Sequence, residues 1–325
     1  MKTIQDNALP HNGGRQTSIT FDTDSTETTV DSAANATAQA AAKPQEGWSG
    51  LQFVSFGSGS SGNCSYLGNA DGGVLIDAGV DPDHVLSSLR QNGVTPKMIK
   101  GIVLTHDHAD HIRYAYTLVR RMKHLRIYCT PRLMTGMLRH HCISRRIREY
   151  QENVFKEMPF KIGEFQFTPF EVSHDATDNM GFMIEACGKK FVVATDMGVI
   201  TLRAEHYMSQ AQFLMIESNY DRAMLDGGRY PEYLKNRVRG PKGHLDNLVA
   251  ADFVANHYQE GLKYVFLCHL SNDNNTPEIA VKAMTDALTG IGLTVGDASN
   301  EVDQRDRDVQ VYALPRYDTS TWFVL

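Results

Sequence analysis

"VLTHDHADHI", residues 103–112, is the stretch on which the reading of the fold turns. It sets His106, His108, Asp110 and His111 directly behind the apolar run "KGIVLT", which reads as a buried strand. Three imidazoles and a carboxylate within six residues on a loop are costly to crowd together unless cations draw them in. A solvated polar loop with Asp110 as a helix cap is the competing reading. Against it, His106 and His108, two apart, point the same way, and Asp110-His111 opens the next helix. Nitrogen and carboxylate donors suit zinc, manganese or iron better than calcium or magnesium.

One loop cannot supply enough ligands for two metals, and the chain offers more. "FQFTPFEVSHD" closes an apolar run at His174, "KKFVVATDMG" at Asp196 and "YVFLCHLS" at His269. Each candidate sits at the carboxyl end of an apolar run, where a layered α/β fold gathers its functional groups. Taken singly, His174 or His269 would more often be a satisfied core or surface histidine. Three such placements beside the histidine loop make all of them candidate ligands.

A second motif competes for attention. In "FVSFGSGSSGNCSYL", residues 53–67, Gly57, Gly59 and Gly62 fit the dinucleotide-binding spacing, and Asp77 follows the first glycine by 20 residues. That fingerprint works only between a strand and a helix, whose N-terminus holds the pyrophosphate. Here Cys-Ser-Tyr-Leu, the turn cluster "GNADGG" and the apolar "VLIDAG" follow. This is strand, turn, strand, and it speaks against a nucleotide cofactor.

Composition sets the frame. A chain of 325 residues, 42% apolar, buries a sizeable core in one large domain or two small ones. No run reaches ~18 apolar residues, so no membrane span is expected. Residues 1–50 are rich in Ser, Thr, Ala, Asn and Gln and read as a disordered extension. Five scattered cysteines without a CxxC pair argue against a disulfide framework and fit a reducing, cytoplasmic setting. The net charge of −6 conceals a segregation: from Arg113 to Arg148 there are ten Lys or Arg and no Asp or Glu.

From residue 51 onward, short strands alternate with helical patterns. "LQFVSF", "CSYLG" and "GVLIDA" read as an antiparallel meander. "DPDHVLSSLRQNG" reads as a helix capped by Asp81, and "IRYAYTLVRRMKH" as a single helix. The second half repeats the style, with helices at "LDNLVAADFVANHY" and "PEIAVKAMTDAL". No linker divides residues 51–325, and two sheet-like halves with outer helices indicate a layered α/β sandwich.

The pattern HxHxDH, then an isolated His, an Asp and a final His, resembles the metallo-β-lactamase superfamily of hydrolases. More specifically, "FGSGSSGNCSYL", "LIDAG", "THDHADHI", "VSHDA", "TDMG", "ESNYD", "GHLDN" and "HLSNDNN" resemble bacterial exonucleases of the WalJ (YycJ) type. The resemblance implies a four-layered αββα sandwich, an α/β (α+β) fold, over residues 51–325 with two divalent ions, Mn²⁺ or Zn²⁺, at one edge. One ion would take His106, His108 and His174. The other would take Asp110, His111 and His269, and Asp196 would bridge them. Asp77 would then orient a ligand imidazole, with a purely structural role as the equal alternative. Asp107 and Tyr220 stand where relatives carry other residues, and neither is a proposed ligand.

Two cations roughly 3.5–4 Å apart would give a bridging hydroxide near neutral pH, with Asp110 and Asp196 orienting it. Glu217 and His244 are placed like the Glu-His pair of ribonuclease Z. Glu217 would hold the His244 imidazole as a general acid or phosphate contact. The acid-free cationic run suggests a polyanion, contacted by Arg113, Arg120, Arg121, Lys123, Arg145 and Arg146. The segment "KNRVRGPKGH" adds Lys235, Arg237, Arg239 and Lys242. The expectation is therefore a 5′→3′ exonuclease acting on DNA ends, with DNA and polarity resting on the resemblance alone. A small-molecule hydrolase of a lactone, thioester or cyclic phosphodiester is the alternative.

Overall fold

The computed structural model describes residues 50–298 and 306–325. Apart from Gly50, the extension expected to be disordered lies outside the described residues, as do residues 299–305.

The first strands are β1 (Gln52–Gly57), β2 (Cys64–Asn69), β3 (Gly72–Ile76), β4 (Ile99–Val103), β5 (Ile127–Cys129) and β6 (Gln151–Asn153). β1 to β3 form the expected antiparallel meander, and β3 to β6 run parallel. Parallel neighbours need crossovers. These are α1 (Pro82–Gln91), the short α2 (Ala109–Ile112) with α3 (Ala115–Arg121), and α4 (Pro131–His140). The second sheet holds β7 (Phe160–Ile162), β8 (Phe165–Glu171), β9 (Met180–Ala186), β10 (Lys189–Ala194), β11 (Phe213–Glu217), β12 (Tyr264–Cys268), β13 (Val295–Asp297) and β14 (Val309–Ala313). Its order is β13-β14-β12-β11-β10-β9-β8-β7, antiparallel from β7 to β10 and parallel beyond. The last strand, β15 (Phe323–Val324), returns to pair with β1 in the first sheet.

Inward-facing aromatic residues join the sheets. The Phe53 ring centroid lies 4.9 Å from Phe191 and 4.7 Å from Phe266. Val85 and Leu89 of α1, Leu118 and Val119 of α3, and Leu133 and Met137 of α4 extend that core over the outer face of the first sheet. Against the second sheet pack α5 (Leu202–Met208), α8 (Asn247–Asn256) and α9 (Pro277–Gly290) through Tyr207, Ala251, Val254, Met284 and Leu288. Between them, α6 (Arg222–Gly227) and α7 (Glu232–Val238) carry a small cluster of their own around Tyr220, Leu225 and Val238. The order of layers is helix, sheet, sheet, helix: the metallo-β-lactamase sandwich.

Helix starts follow their capping residues. Asp81 accepts from the amides of Asp83 and His84 ahead of α1, and Asp246 from Leu248 ahead of α8. One expectation fails. The stretch read as a single helix, 112–124, breaks between α2 and α3. The Asp110 carbonyl, which the Tyr114 amide would need, accepts from the Asn63 amide at 2.8 Å. Tyr114 N donates instead to the Ala78 carbonyl, also at 2.8 Å. The meander has taken the backbone groups that a continuous helix would use.

Candidate metal centre

The named side chains converge at one edge of the sandwich, each just beyond the carboxyl end of a strand. Asp77 follows β3, the His106–His111 loop follows β4, His174 follows β8, Asp196 follows β10, Glu217 ends β11 and His269 follows β12. Asp77, Asp196 and His269 have φ of 61°, 54° and 55°. Left-handed backbone at non-glycine residues costs of order 1 kcal/mol each and clusters where function demands it. Gly79 must lack a Cβ, because one would overlap the Asp110 carbonyl.

Donor atoms meet within 4.8 Å in four overlapping groups: His106, His108 and His174; His106, His111 and Asp196; Asp110, His111 and His269; and Asp196, Glu217, His244 and His269. The two trios expected from the sequence are both present, and Asp196 touches each side. Its Oδ1 lies 3.8 Å from His174 Nε2 and 3.4 Å from His269 Nδ1, and its Oδ2 3.4 Å from His111 Nε2. His106 Nε2 is buried and has no hydrogen-bond partner. A buried acceptor left unmade is costly, so this donor set fits a divalent cation.

Surrounding groups fix which ring nitrogen faces inward. Asp77 Oδ2 accepts from His111 Nδ1 at 2.8 Å and is itself held by the Thr105 hydroxyl at 2.9 Å. That turns His111 Nε2 toward the cluster, where Asn63 Nδ2 lies 2.9 Å from it. Asp77 thus contacts the outer nitrogen of a candidate ligand imidazole. His174 Nδ1 donates to the Gly243 carbonyl at 2.9 Å, which turns its Nε2 inward. That carbonyl arrives because Gly198, without a Cβ, admits the turn at 240–243.

The two sides differ electrostatically. Burial, reinforced by neighbouring imidazoles, holds His106, His108 and His174 below the ordinary histidine range. Burial also opposes charge on His111, but Asp77, Asp196 and Asp110 outweigh it and lift its pKa to about 9. His269 is raised in the same way, chiefly by Asp196. Asp110 and Asp196 are pushed up by burial and pulled below the usual carboxylate range by the surrounding histidines.

Glu217 and His244 meet as expected, with Oε1 2.7 Å from His244 Nδ1. The same oxygen lies 3.3 Å from His269 Nδ1, while Oε2 accepts from the Met197 amide at 2.7 Å. His244 does not cap α8, since that role belongs to Asp246. Other residues sit in the site without having been assigned a part. Asn63 Nδ2 donates to Asp110 Oδ2 at 3.1 Å, and Asn219 Nδ2 lies 3.2 Å from His269 Nδ1. Asp175 Oδ1 lies 3.5 Å from His108 Nε2 and 3.5 Å from His174 Nε2. Their motifs, "SSGN", "ESNYD" and "VSHDA", signalled the neighbourhood but not the contacts.

The cationic residues divide. Arg121 pairs with Asp83 at 2.6 Å, Arg237 with Asp175 at 2.7 Å, and Arg239 with Asp226 and Glu232. Lys235 is buried and donates to the Asp226 carbonyl. Arg113 donates to the Ser61 carbonyl, and Arg120 lies over the Tyr116 ring. The expected open track is therefore partly closed: Asp83 of α1 meets the acid-free stretch 113–148 at Arg121, and acids from α6, α7 and the loop after β8 meet Arg237 and Arg239 of the second segment. Lys123, Arg145, Arg146 and Lys242 are exposed and, among the described residues, carry no salt bridge.

A two-sheet sandwich with this set of donors at the strand ends is a metal-dependent hydrolase architecture, and residues 73–269 match the β-lactamase superfamily domain. The chain belongs to the metallo-β-lactamase superfamily. Among curated proteins it is 32% identical to exodeoxyribonuclease YycJ of Bacillus anthracis over 250 residues, 77% of this chain and 93% of that protein. It is 30% identical to exodeoxyribonuclease WalJ of Streptococcus pneumoniae over 248 residues, 76% and 91% of the two chains. In fold it is similar to the metallo-β-lactamase fold protein YhfI of Bacillus subtilis, with a TM-score of 0.59 and 14% identity, covering 83% of this chain and 99% of that one.

Proposed function

We propose that the protein is a metal-dependent exodeoxyribonuclease that degrades DNA from 5′ ends, with two divalent ions, Mn²⁺ or Zn²⁺, in the centre described above. The observation that carries the reading is the donor cluster itself, with the partnerless His106 Nε2 inside it and the Glu217–His244 pair at its border. The similarity to proteins named exodeoxyribonucleases supports the choice of substrate.

His106, His108 and His174 would hold one ion, Asp110, His111 and His269 the other, and Asp196 both. When bound, such ions supply Lewis acidity and an activated water near neutral pH. The chain supplies the remainder. Asp110 and Asp196 orient the nucleophile, and His244, steadied through Nδ1 by Glu217, presents Nε2 to the leaving oxygen as proton donor. Lys123, Arg145, Arg146 and Lys242 are the expected cations left to meet phosphates, with Arg113 and Arg120 beside them in this role. Residues 51–325 form the catalytic domain in this reading.

The test is cleavage of end-labelled linear duplex DNA by metal-stripped protein with manganese or zinc restored. Stepwise loss from 5′ ends, dependent on metal and absent in Asp110→Ala, is expected. No cleavage of DNA or RNA with metals demonstrably bound would sink the nuclease reading. His244→Ala should lower turnover roughly 10²-fold or more with metal content unchanged.

A further inference from the structure

Each candidate ligand imidazole needs a partner on its other nitrogen to fix tautomer and ring orientation. His111 has Asp77, His174 has the Gly243 carbonyl, and His106 Nδ1 lies 3.0 Å from the Thr105 hydroxyl. His269 Nδ1 has Asn219 and Glu217. His108 is the exception in its exposure and in the length of its outer contact. Its side chain is 32% exposed, more than any of the other four. Its Nδ1 faces the cluster, 3.2 Å from His174 Nε2, and its Nε2 faces Asp175 Oδ1 at 3.5 Å.

Asp175 does not stand alone. Arg237, from α7, grips it at both oxygens, Nε to Oδ2 at 2.7 Å and Nη2 to Oδ1 at 3.2 Å. Such a fork fixes a carboxylate in plane as well as in place. It also offsets the carboxylate's charge, so Asp175 can accept from an imidazole without adding net charge to the site.

We infer that Asp175, clamped by Arg237, is the positioning residue of His108, holding Nε2–H outward so that the Nδ1 lone pair points into the centre. Asp175 does for the histidine half what Asp77 does for the other, and Arg237 serves the metal site rather than the DNA. The inference rests on the metal-centre reading above.

Zinc titration of the metal-stripped full chain by calorimetry, with elemental analysis, tests it on Asp175→Asn, Arg237→Ala and wild type. Asp175→Asn should weaken one zinc equivalent by roughly 10–100-fold and spare the other, with Arg237→Ala weakening the same equivalent less. Long-range ¹H–¹⁵N spectra of the zinc-loaded wild type should show His108 protonated at Nε2 and metallated at Nδ1, a readout that stands even if a variant misfolds. Metallation at Nε2 overturns the inference. So does unchanged zinc uptake in both variants, and weaker DNA binding by Arg237→Ala in that case would mark Arg237 as a phosphate contact. A wild-type chain that takes up neither zinc nor manganese overturns the metal-centre reading itself.

Discussion

On one side of Asp196 stand His106, His108 and His174, imidazoles that burial keeps neutral; on the other, His111 and His269 stand among Asp77, Asp110 and Glu217. The two sides have similar donors and opposite fields. On the first, a cation meets lone pairs already free. On the second it meets carboxylates that attract it and protons that the same carboxylates have attracted first. The contrast shows that ligand type alone does not define a metal position, because the outer partners decide what each imidazole carries before a metal arrives.

The largest effect should come from the residue common to both sides. Asp196→Ala is expected to lower activity on the order of 10³-fold or more, since several kcal/mol of transition-state stabilisation depend on both positions. Elemental analysis should show both equivalents weakened. Loss of one alone would break the symmetry drawn here. Asp77→Asn should cut affinity at the carboxylate side alone, roughly 10–100-fold, and competition with a chelator would measure it.

The metal-stripped protein should display the contrast as a function of pH. The folded His111 pKa of about 9 exceeds the unfolded value near 6.5. Its contribution is therefore fully present below about 6.5 and is lost as pH rises through 9, on the order of 3 kcal/mol in all. For His106, His108 and His174 the shift is downward, so their contribution is present above about 6.5 and lost as pH falls below it. Denaturant midpoints across pH should fall on both flanks, and Asp77→Asn should flatten only the alkaline one. The smallest effect lies outside both halves. Arg145→Glu with Arg146→Glu should leave metal binding untouched and lower the slope of log affinity for DNA against log salt by about 1 for each phosphate no longer neutralised.

Much of this could be read from the chain. The meander, the Asp81 cap of α1, and the placement of each candidate ligand at a strand end follow from local periodicity and turn residues. The ligand candidates were legible because chemistry at a sheet edge leaves compact motifs directly after apolar runs. The break between α2 and α3 was not, since it arises from Asn63 and Ala78, 47 and 36 residues upstream of the groups they bind.

Sequence alone singled out the candidate donors and their order, because metal chemistry favours particular residue types and a strand end fixes position. Tertiary structure alone decided the partners. Arg121, Arg237 and Arg239 stand in basic stretches, yet each meets an acid brought from elsewhere by the fold. Asp175 sits beside His174 in the chain but turns an oxygen toward His108 as well. Charge acts through space at a few ångströms and has no memory of sequence separation.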